Sequence, residues 1–284
     1  MRLDVRKTYK LYVGGAFPRS ESGRSYEVAD AKGRFLANAS QASRKDVRDA
    51  VVAARKASAG WSGATAYNRG QVLYRVAEVL EGRRDQFVDE VGAVEGLSAA
   101  KARREVDAAI DRWVWYAGWS DKIAQVSGSS NPVAGAYFDF SVPEPTGVVA
   151  AIAPQDSSLL GLISVLAPIV VAGNTCVVVA SEARPTPAIT LSEVLATSDV
   201  PGGVVNVLTG FTKELAPVLA SHLDVNAIDL AGVDPADVAD LQAAAADNVK
   251  RVVTPRDADW HTDPHPGRIL AFTETKTVWH PMGV

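Results

Sequence analysis

The sequence predicts an α/β protein: a Rossmann-like, mostly parallel sheet with helices on both faces, preceded by amphipathic helices and carrying a protruding β arm. Three observations lead there. From Gly147 to Val253 five short runs, VVAAIA, CVVVA, VVNVL, NAIDL and VKRVV, alternate with longer helical stretches, the pattern of strands joined by crossover helices. Thr186-Pro187 and Asp234-Pro235 each set a capping side chain before a proline, a helix-start signal. From Lys45 to about Lys122 apolar residues recur at spacings of three and four, as in Val72, Val76, Val79 and Leu80 or Val106, Ile110 and Val114.

Taken in order, the first helical runs are DVRDAVVAARKASAGW, then NRGQVLYRVAEVLEGRRDQFVDEV, then AAKARREVDAAIDRWVWYAGWSDKI. Arg83, Arg84, Arg103 and Arg104 would make either a basic groove or, as is commoner on such helices, a solvated face. The loop SGSSNPVAG leads to AYFDFSV, where Ala136, Phe138, Phe140 and Val142 alternate with Tyr137, Asp139 and Ser141 at the period of a strand. Pro143 and Pro145 are expected to stop it, and turn-rich flanks make it a projecting hairpin or arm. Helices are expected near Leu159 to Val171, Pro187 to Thr197, Lys213 to Ser221 and Pro235 to Ala246.

Bulk composition narrows the function classes. The 284 residues are 47% hydrophobic and 22% charged, an ordinary globular balance. A formal net charge of −4 offers no field for a polyanion, so nucleic acid is not an expected partner. One cysteine excludes an intramolecular disulfide and fits a reducing compartment, the cytoplasm being the simplest. The first residues, MRLDVRKTYKLYVGG, have no apolar h-region, and the most apolar run, Leu159 to Gly173, is too short for a bilayer and holds Pro168. Neither secretion nor membrane insertion is expected.

YVGGAF, the AARKASAGWS and NRGQVLYRVAEVLE runs, EPTGVVAAIAP, AGNTCVVVASEARPTP, VPGGVVNVLTG and DNVKRV, from Leu11 to about Val253, together resemble in order and spacing the aldehyde dehydrogenase superfamily. The resemblance implies the cofactor domain of a nicotinamide-dependent dehydrogenase. It also supplies a template against which the site can be compared.

The comparison is one of losses. The family's proline-tryptophan-asparagine-phenylalanine-proline turn, whose asparagine helps hold the substrate oxyanion, reads here Pro154-Gln155-Asp156-Ser157-Ser158. Only Pro154 remains, and a carboxylate at Asp156 would repel an oxyanion; capping of the next helix through the Ser158 or Leu159 N–H is its expected role. The lysine-proline-serine-glutamate motif that grips the adenosine ribose reads Val179-Ala180-Ser181-Glu182. Glu182 is kept without its lysine, and is expected to be a solvated acid before Arg184. Of the glycines that admit the pyrophosphate, Gly210 remains in Gly210-Phe211-Thr212-Lys213, and the phenylalanine-threonine-glycine-serine turn reads Leu230-Ala231-Gly232-Val233, with Gly232 kept for the turn. Pro154, Glu182, Gly210 and Gly232 are thus vestigial cofactor positions, none of them a confident contact.

The resemblance also implies where the chemistry should be. After VKRVV a working member continues into its general-base segment and then a domain bearing the nucleophilic cysteine; this chain continues TPRDADWHTDPHPGR. Cys176 lies in an apolar strand and reads as inert. His261, Asp263 and His265 have a spacing that could hold a metal, but Pro264 and Pro266 stiffen the run and a connector is the expected identity. No residue is assigned a catalytic or metal role.

ILAFTETKTVWHP, finally, resembles the family's terminal strand, which joins the arm in an oligomerisation sheet. The resulting organisation is a cofactor-type domain at 1–126 and 145–253, an oligomerisation arm and C-terminal strand at 127–144 and 269–284, and a linker at 254–268 in place of a catalytic domain. Interface residues are expected at Tyr137, Phe138, Phe140, Val142, Thr275, Lys276, Thr277, Val278 and Trp279. The leading expectation is a truncated, degenerate member of the superfamily, a non-catalytic subunit that docks with a full-length aldehyde dehydrogenase, or with itself, and binds no cofactor. The alternatives are a minimal NAD- or NADP-dependent dehydrogenase, and a small-ligand module using the old cofactor cleft with Asp156 or Glu182 as anchors.

Overall fold

Apolar side chains that point alternately to two sides of a strand must be covered twice, and the second half of the chain does this with helices on either side of one sheet. The computed structural model describes residues 7–254 and 258–283. An N-terminal sheet of β1 (Thr8–Tyr9), β2 (Ser25–Ala29) and β3 (Phe35–Ser40) precedes α1 (Arg44–Gly63), α2 (Ala66–Gly82), α3 (Arg84–Glu95), α4 (Ala99–Ala117) and α5 (Ile123–Ser127). The arm follows, β4 (Ser129–Asn131) and β5 (Tyr137–Pro145). The α/β region is β6 (Val148–Ile152), α6 (Leu160–Val171), β7 (Thr175–Val179), α7 (Thr186–Ala196), β8 (Val205–Leu208), α8 (Thr212–Ser221), β9 (Ala227–Asp229), α9 (Val238–Ala246) and β10 (Arg251–Val253). The chain closes with α10 (Gly267–Leu270) and β11 (Thr273–Pro281).

The predicted sheet is present, five-stranded and parallel throughout, in the order β10-β9-β6-β7-β8. Val148, Ala150 and Ile152 of β6 and Val177 and Val179 of β7 pack among side chains of α1, α8 and α9. Their neighbours Val149, Ala151, Cys176 and Val178 pack on the other face with α4, α6 and α7. Sequence order reverses between β6 and β9, so the crevice at which such sheets bind ligands lies at the carboxyl ends of those two strands. Every residue of α6 is buried, and among the described residues no helix is long and apolar enough to cross a membrane.

Several expectations need correction. The run from Asn68 to Val91 is two helices, broken at Arg83, whose backbone leaves the helical region (φ −111°, ψ 13°) while its guanidinium reaches Glu193 of α7 at 2.6 Å. Arg84 pairs with Asp107 and Arg103 lies 3.7 Å from Asp85, and Arg83, Arg84 and Arg103 line one open recess together with Glu81 and Asp85, a solvated face of mixed charge as the commoner reading expected. Thr186 is the first residue of α7 rather than its cap, and Pro187 falls one place later. Asp234 Oδ1 accepts the Ala236 N–H at 3.0 Å, but it holds a turn, and the regular helix begins only at Val238. The N-terminal sheet was not foreseen, and the SGSSNPVAG loop contains β4.

Pro143 and Pro145 do not stop the arm strand. β5 runs through both, paired antiparallel with β11 along its whole length, from Tyr137↔Pro281 to Pro145↔Thr273. The Met282 N–H donates to Ala136 O and the Thr146 N–H to Phe272 O, which fixes the phase of the ladder: even-numbered residues bond across it, and odd-numbered residues turn away. Both prolines are odd, and β4, which pairs only with Asp139 to Ser141, ends before reaching them. Their missing donors therefore face no strand.

The link from β10 to β11 spans residues 254–272, too few for a domain. Its latter part is folded onto the α4 and α6 face. Ile269 and Phe272 are fully buried there, and Phe272 O accepts a hydrogen bond from Asn174 Nδ2 at 2.8 Å. Those two residues belong to the main body, and the free-standing strand begins at Thr273. Replacing Phe272 by Ala is expected to lower the urea-unfolding free energy by about 3–5 kcal/mol, the usual cost of emptying a phenylalanine site; a loss under about 1 kcal/mol would mean that this segment does not belong to the core.

Candidate functional site

The carboxyl ends of the parallel strands carry four turns that lead into helices, and at such places free backbone N–H groups and the helix dipole favour an anion. In this chain two of these turns are already supplied with carboxylates. After β6, the Ser158 N–H and hydroxyl both donate to Glu95 Oε1, at 2.7 and 2.6 Å, from the last residue of α3. In the first turn of α6 the Gly161 N–H goes to Ser157 Oγ at 2.8 Å. Asp156, expected to cap this helix, instead has an exposed side chain, and its backbone oxygen accepts from Arg184. Proximity in sequence suggested Asp156, and a long-range partner displaced it.

The second helix start belongs to α8. Glu182 Oε1 accepts the Thr212 N–H there, so the acid is half-buried and engaged rather than solvated before Arg184. Gln155 positions it: Gln155 Oε1 accepts the Glu182 N–H at 2.9 Å while its Nε2 donates to Ala153 O at 2.9 Å. The residue standing in place of the family's tryptophan therefore stitches the turn after β6 to the turn after β7.

The remaining vestigial positions have structural reasons. Val179 is fully buried in β7 and offers no donor. At Gly210 (φ +149°) a Cβ would stand 3.2 Å from both the Ala42 N and Leu215 Cδ1. The Gly232 N–H donates to Ile152 O at 2.9 Å, and a Cβ on Gly232 would fall 1.8 Å from Ala153 O; no side chain fits between these turns. Pro154 is buried at the end of β6.

At the switch point itself is a feature that sequence reasoning missed. Asp229, the last residue of β9, is fully buried, and its carboxylate pairs with Arg268 of α10 at 2.6 Å and accepts the Ala231 N–H at 3.0 Å. The Arg268 guanidinium lies 5.7 Å from the centre of the Trp260 ring. Arg112 of α4, itself 8% exposed, donates to Ser164 Oγ at 2.8 Å and to the carbonyls of Trp260 and Thr262 at 2.8 and 2.7 Å. The linker is thus drawn across the crevice by two arginines. The signal in the sequence was Asp229 itself, a carboxylate inside an apolar strand.

Other candidates do not converge. His261 Nε2 meets Glu105 at 2.7 Å, while His265 Nδ1 accepts the Gly267 N–H, so His261, Asp263 and His265 do not close on one point. Cys176 is fully buried, and desolvation together with the Asp229 charge pushes its thiol strongly up, away from the reactive thiolate. A recess of about 250 Å³ remains between α8 and α9, lined by Thr212, Lys213, Pro217, Val233, Asp237 and Leu241. A larger groove of about 800 Å³ lies on α2 and α4, lined in part by Tyr67, Tyr74, Arg75 and Val114, and includes none of the turn residues.

A pyrophosphate at these turns would meet Glu95 on the Ser158 N–H and Glu182 on the Thr212 N–H, with no lysine at position 179 to offset them.

The expected interface residues are brought together. On one face of the sheet ordered β11-β5-β4, Phe138, Phe140 and Val142 stand opposite His280, Val278 and Lys276; on the other, Tyr137, Asp139 and Ser141 stand opposite Pro281, Trp279 and Thr277. Thr275 lies opposite Pro143. The Phe138 and Phe140 rings are 5.4 Å apart and those of Tyr137 and Trp279 5.7 Å apart, while Tyr137, Phe138 and Trp279 remain exposed.

Burial pushes the Asp229 carboxyl up to about 6, from an ordinary 3.8, against the opposing pull of Arg268 and the Ala231 N–H. Between those values the folded chain holds more protons at this site than the unfolded chain, so the contribution of Asp229 to stability falls as pH rises from about 4 to about 6. Compared with Asp229→Asn, the wild-type protein should lose up to about 1.4 kcal/mol of unfolding free energy per pH unit across that window. Urea titrations at several pH values read this directly, and a constant difference between the two proteins would contradict it.

The aldehyde dehydrogenase family pattern matches residues 17–255. The chain is 33% identical over 261 residues to retinal dehydrogenase 2 of Gallus gallus, covering 89% of this chain and 49% of that protein. It is 32% identical over 248 residues to an aldehyde dehydrogenase of Emericella nidulans, covering 85% and 48%. Among solved structures, an NAD-dependent aldehyde dehydrogenase from Sinorhizobium meliloti superimposes with a TM-score of 0.83 at 27% identity, covering 88% of this chain and 50% of that one. The chain therefore spans about half the length of the relatives it matches.

Proposed function

The chain belongs to the aldehyde dehydrogenase family, and on that premise we propose that it is a non-catalytic member, a pseudoenzyme that docks through its arm and C-terminal strand with a full-length aldehyde dehydrogenase. One observation carries the reading: the crevice at the switch point is taken by the chain's own linker, held by the Arg268–Asp229 pair and by Arg112. A buried ion pair of this kind costs several kcal/mol to break, so the crevice is not a site awaiting a substrate. The capped helix starts support the absence of NAD or NADP, and the buried Cys176 supports the absence of acyl transfer. The three-stranded sheet supports docking, because an exposed strand edge with aromatic side chains binds by strand addition. The cytoplasm, where a lone thiol stays reduced, is the compartment proposed.

Co-expression with full-length aldehyde dehydrogenases of the same cell, followed by sizing, is expected to give co-elution that Phe138→Ser with Trp279→Ser reduces at least tenfold. Failure to co-elute with any of them would end the docking reading. The recess between α8 and α9 keeps a second reading open, a small-ligand module or minimal NAD-dependent dehydrogenase. Calorimetric titration with NAD and NADP separates the two. No heat of binding is expected up to about 1 mM, whereas submillimolar affinity would favour the enzyme.

A further inference from the structure

We propose that the free edge of β11 is closed by the β11 of a second copy of this chain, in a two-fold antiparallel pair centred on Thr277. β11 is an outer strand of its sheet and nine residues long. The opposite edge, β4, has three residues and is blunt by comparison. Since even-numbered residues of β11 bond to β5, the N–H and C=O groups of Thr275, Thr277 and Trp279 point outward to no strand among the described residues, while the outward carbonyl of Thr273 is taken by the Arg251 guanidinium. Long edges are usually blunted by charge, bulge or proline. This one has Lys276 and Glu274, which are already paired with Glu144 at 2.8 Å and Arg251 at 2.9 Å, and Pro281 only at its end.

The outward phase restricts which self-pairings are possible, and side chains then choose among them. Centring the two-fold axis on Lys276 would set Lys276 against its own copy, a like-charge pair that destabilises. Centring it on Thr275 places Glu274 opposite Lys276 of the second copy but pairs only residues 273–277. Centring it on Thr277 pairs the whole strand from Thr273 to Pro281. Glu274 then faces His280 of the second copy, Thr275 faces Trp279, Lys276 faces Val278, and Thr277 faces itself. No like charges meet, and β-branched and aromatic residues stand in the favoured cross-strand positions. The result is one six-stranded antiparallel sheet across two chains, an isologous contact. It leaves the Phe138 and Phe140 face uncovered, and because it occupies the long edge of the sheet it competes with strand addition to another family member.

The test uses the full chain alone. Light scattering at about 50 μM should give twice the 30.0 kDa chain mass. Thr277→Cys should form an intermolecular disulfide under mild oxidation, because directly opposed bonded residues have Cα atoms roughly 5.5 Å apart, and the native thiol, Cys176, is buried. Thr275→Cys and Lys276→Cys should remain uncrosslinked. Thr277→Pro removes an outward donor without touching the ladder to β5 and should yield the single chain mass; Thr277→Lys, which keeps the backbone intact, should weaken dimerisation at least tenfold. A wild-type chain of single mass, or cross-linking through Lys276→Cys in preference to Thr277→Cys, would overturn the proposal. Because no partner is present, either result is independent of the outcome of co-expression with a homologue.

Discussion

Asp229 closes strand β9 with a carboxylate that no solvent reaches, and a guanidinium has to be brought to it. An unpaired charge at that depth would cost several kcal/mol, so the fold depends on delivering Arg268 from far along the chain. α10 makes the delivery. Arg112 holds the linker upstream by two carbonyls, and Ile269 and Phe272 bury themselves against the α4 and α6 face. Asn174 then fixes Phe272 O, while Arg251 of β10 donates to the carbonyls of Ala271 and Thr273 and pairs with Glu274. Only with that junction fixed does β11 enter in register with β5. The arm sheet, the closed crevice and the linker's path thus share one electrostatic requirement.

The helix starts obey a related rule. A parallel α/β sheet produces anion-favouring helix termini whether or not an anion is bound, and each unsatisfied donor there is costly. Glu95 stands at the end of α3, where its charge opposes that helix's own dipole, and the Ser158 N–H and hydroxyl compensate for it. Glu182 does the same at α8. The acids are therefore part of how the fold satisfies itself.

What the sequence made legible was whatever depends on local pattern. The five β-branched runs alternating with helices gave the parallel sheet, because strands covered on both faces need continuous apolar text. The alternation around Phe138 gave the arm. What stayed hidden depended on partners distant in the chain. Pro143 and Pro145 read as breakers until the β11 pairing showed which side their missing donors face. Asp156 read as a cap because nothing local suggested that Glu95, more than sixty residues earlier, would arrive first. Glu182 read as solvated because its acceptor role depends on the path of the chain through Gly210. For the same reason the linker read as a mere connector: neither its composition nor its prolines disclose that Arg112 and Asp229 await it.

The ladder between β5 and β11 has a consequence in time. The ribosome completes β5 while residues 146–272 are still to be made, an interval of roughly 6–25 seconds at ordinary rates of synthesis. Throughout that interval Phe138, Phe140 and a nine-residue strand lie open in the nascent polypeptide, beside other nascent copies on the same message. A chaperone that shields aromatic strands has its natural window here, before the final residues emerge.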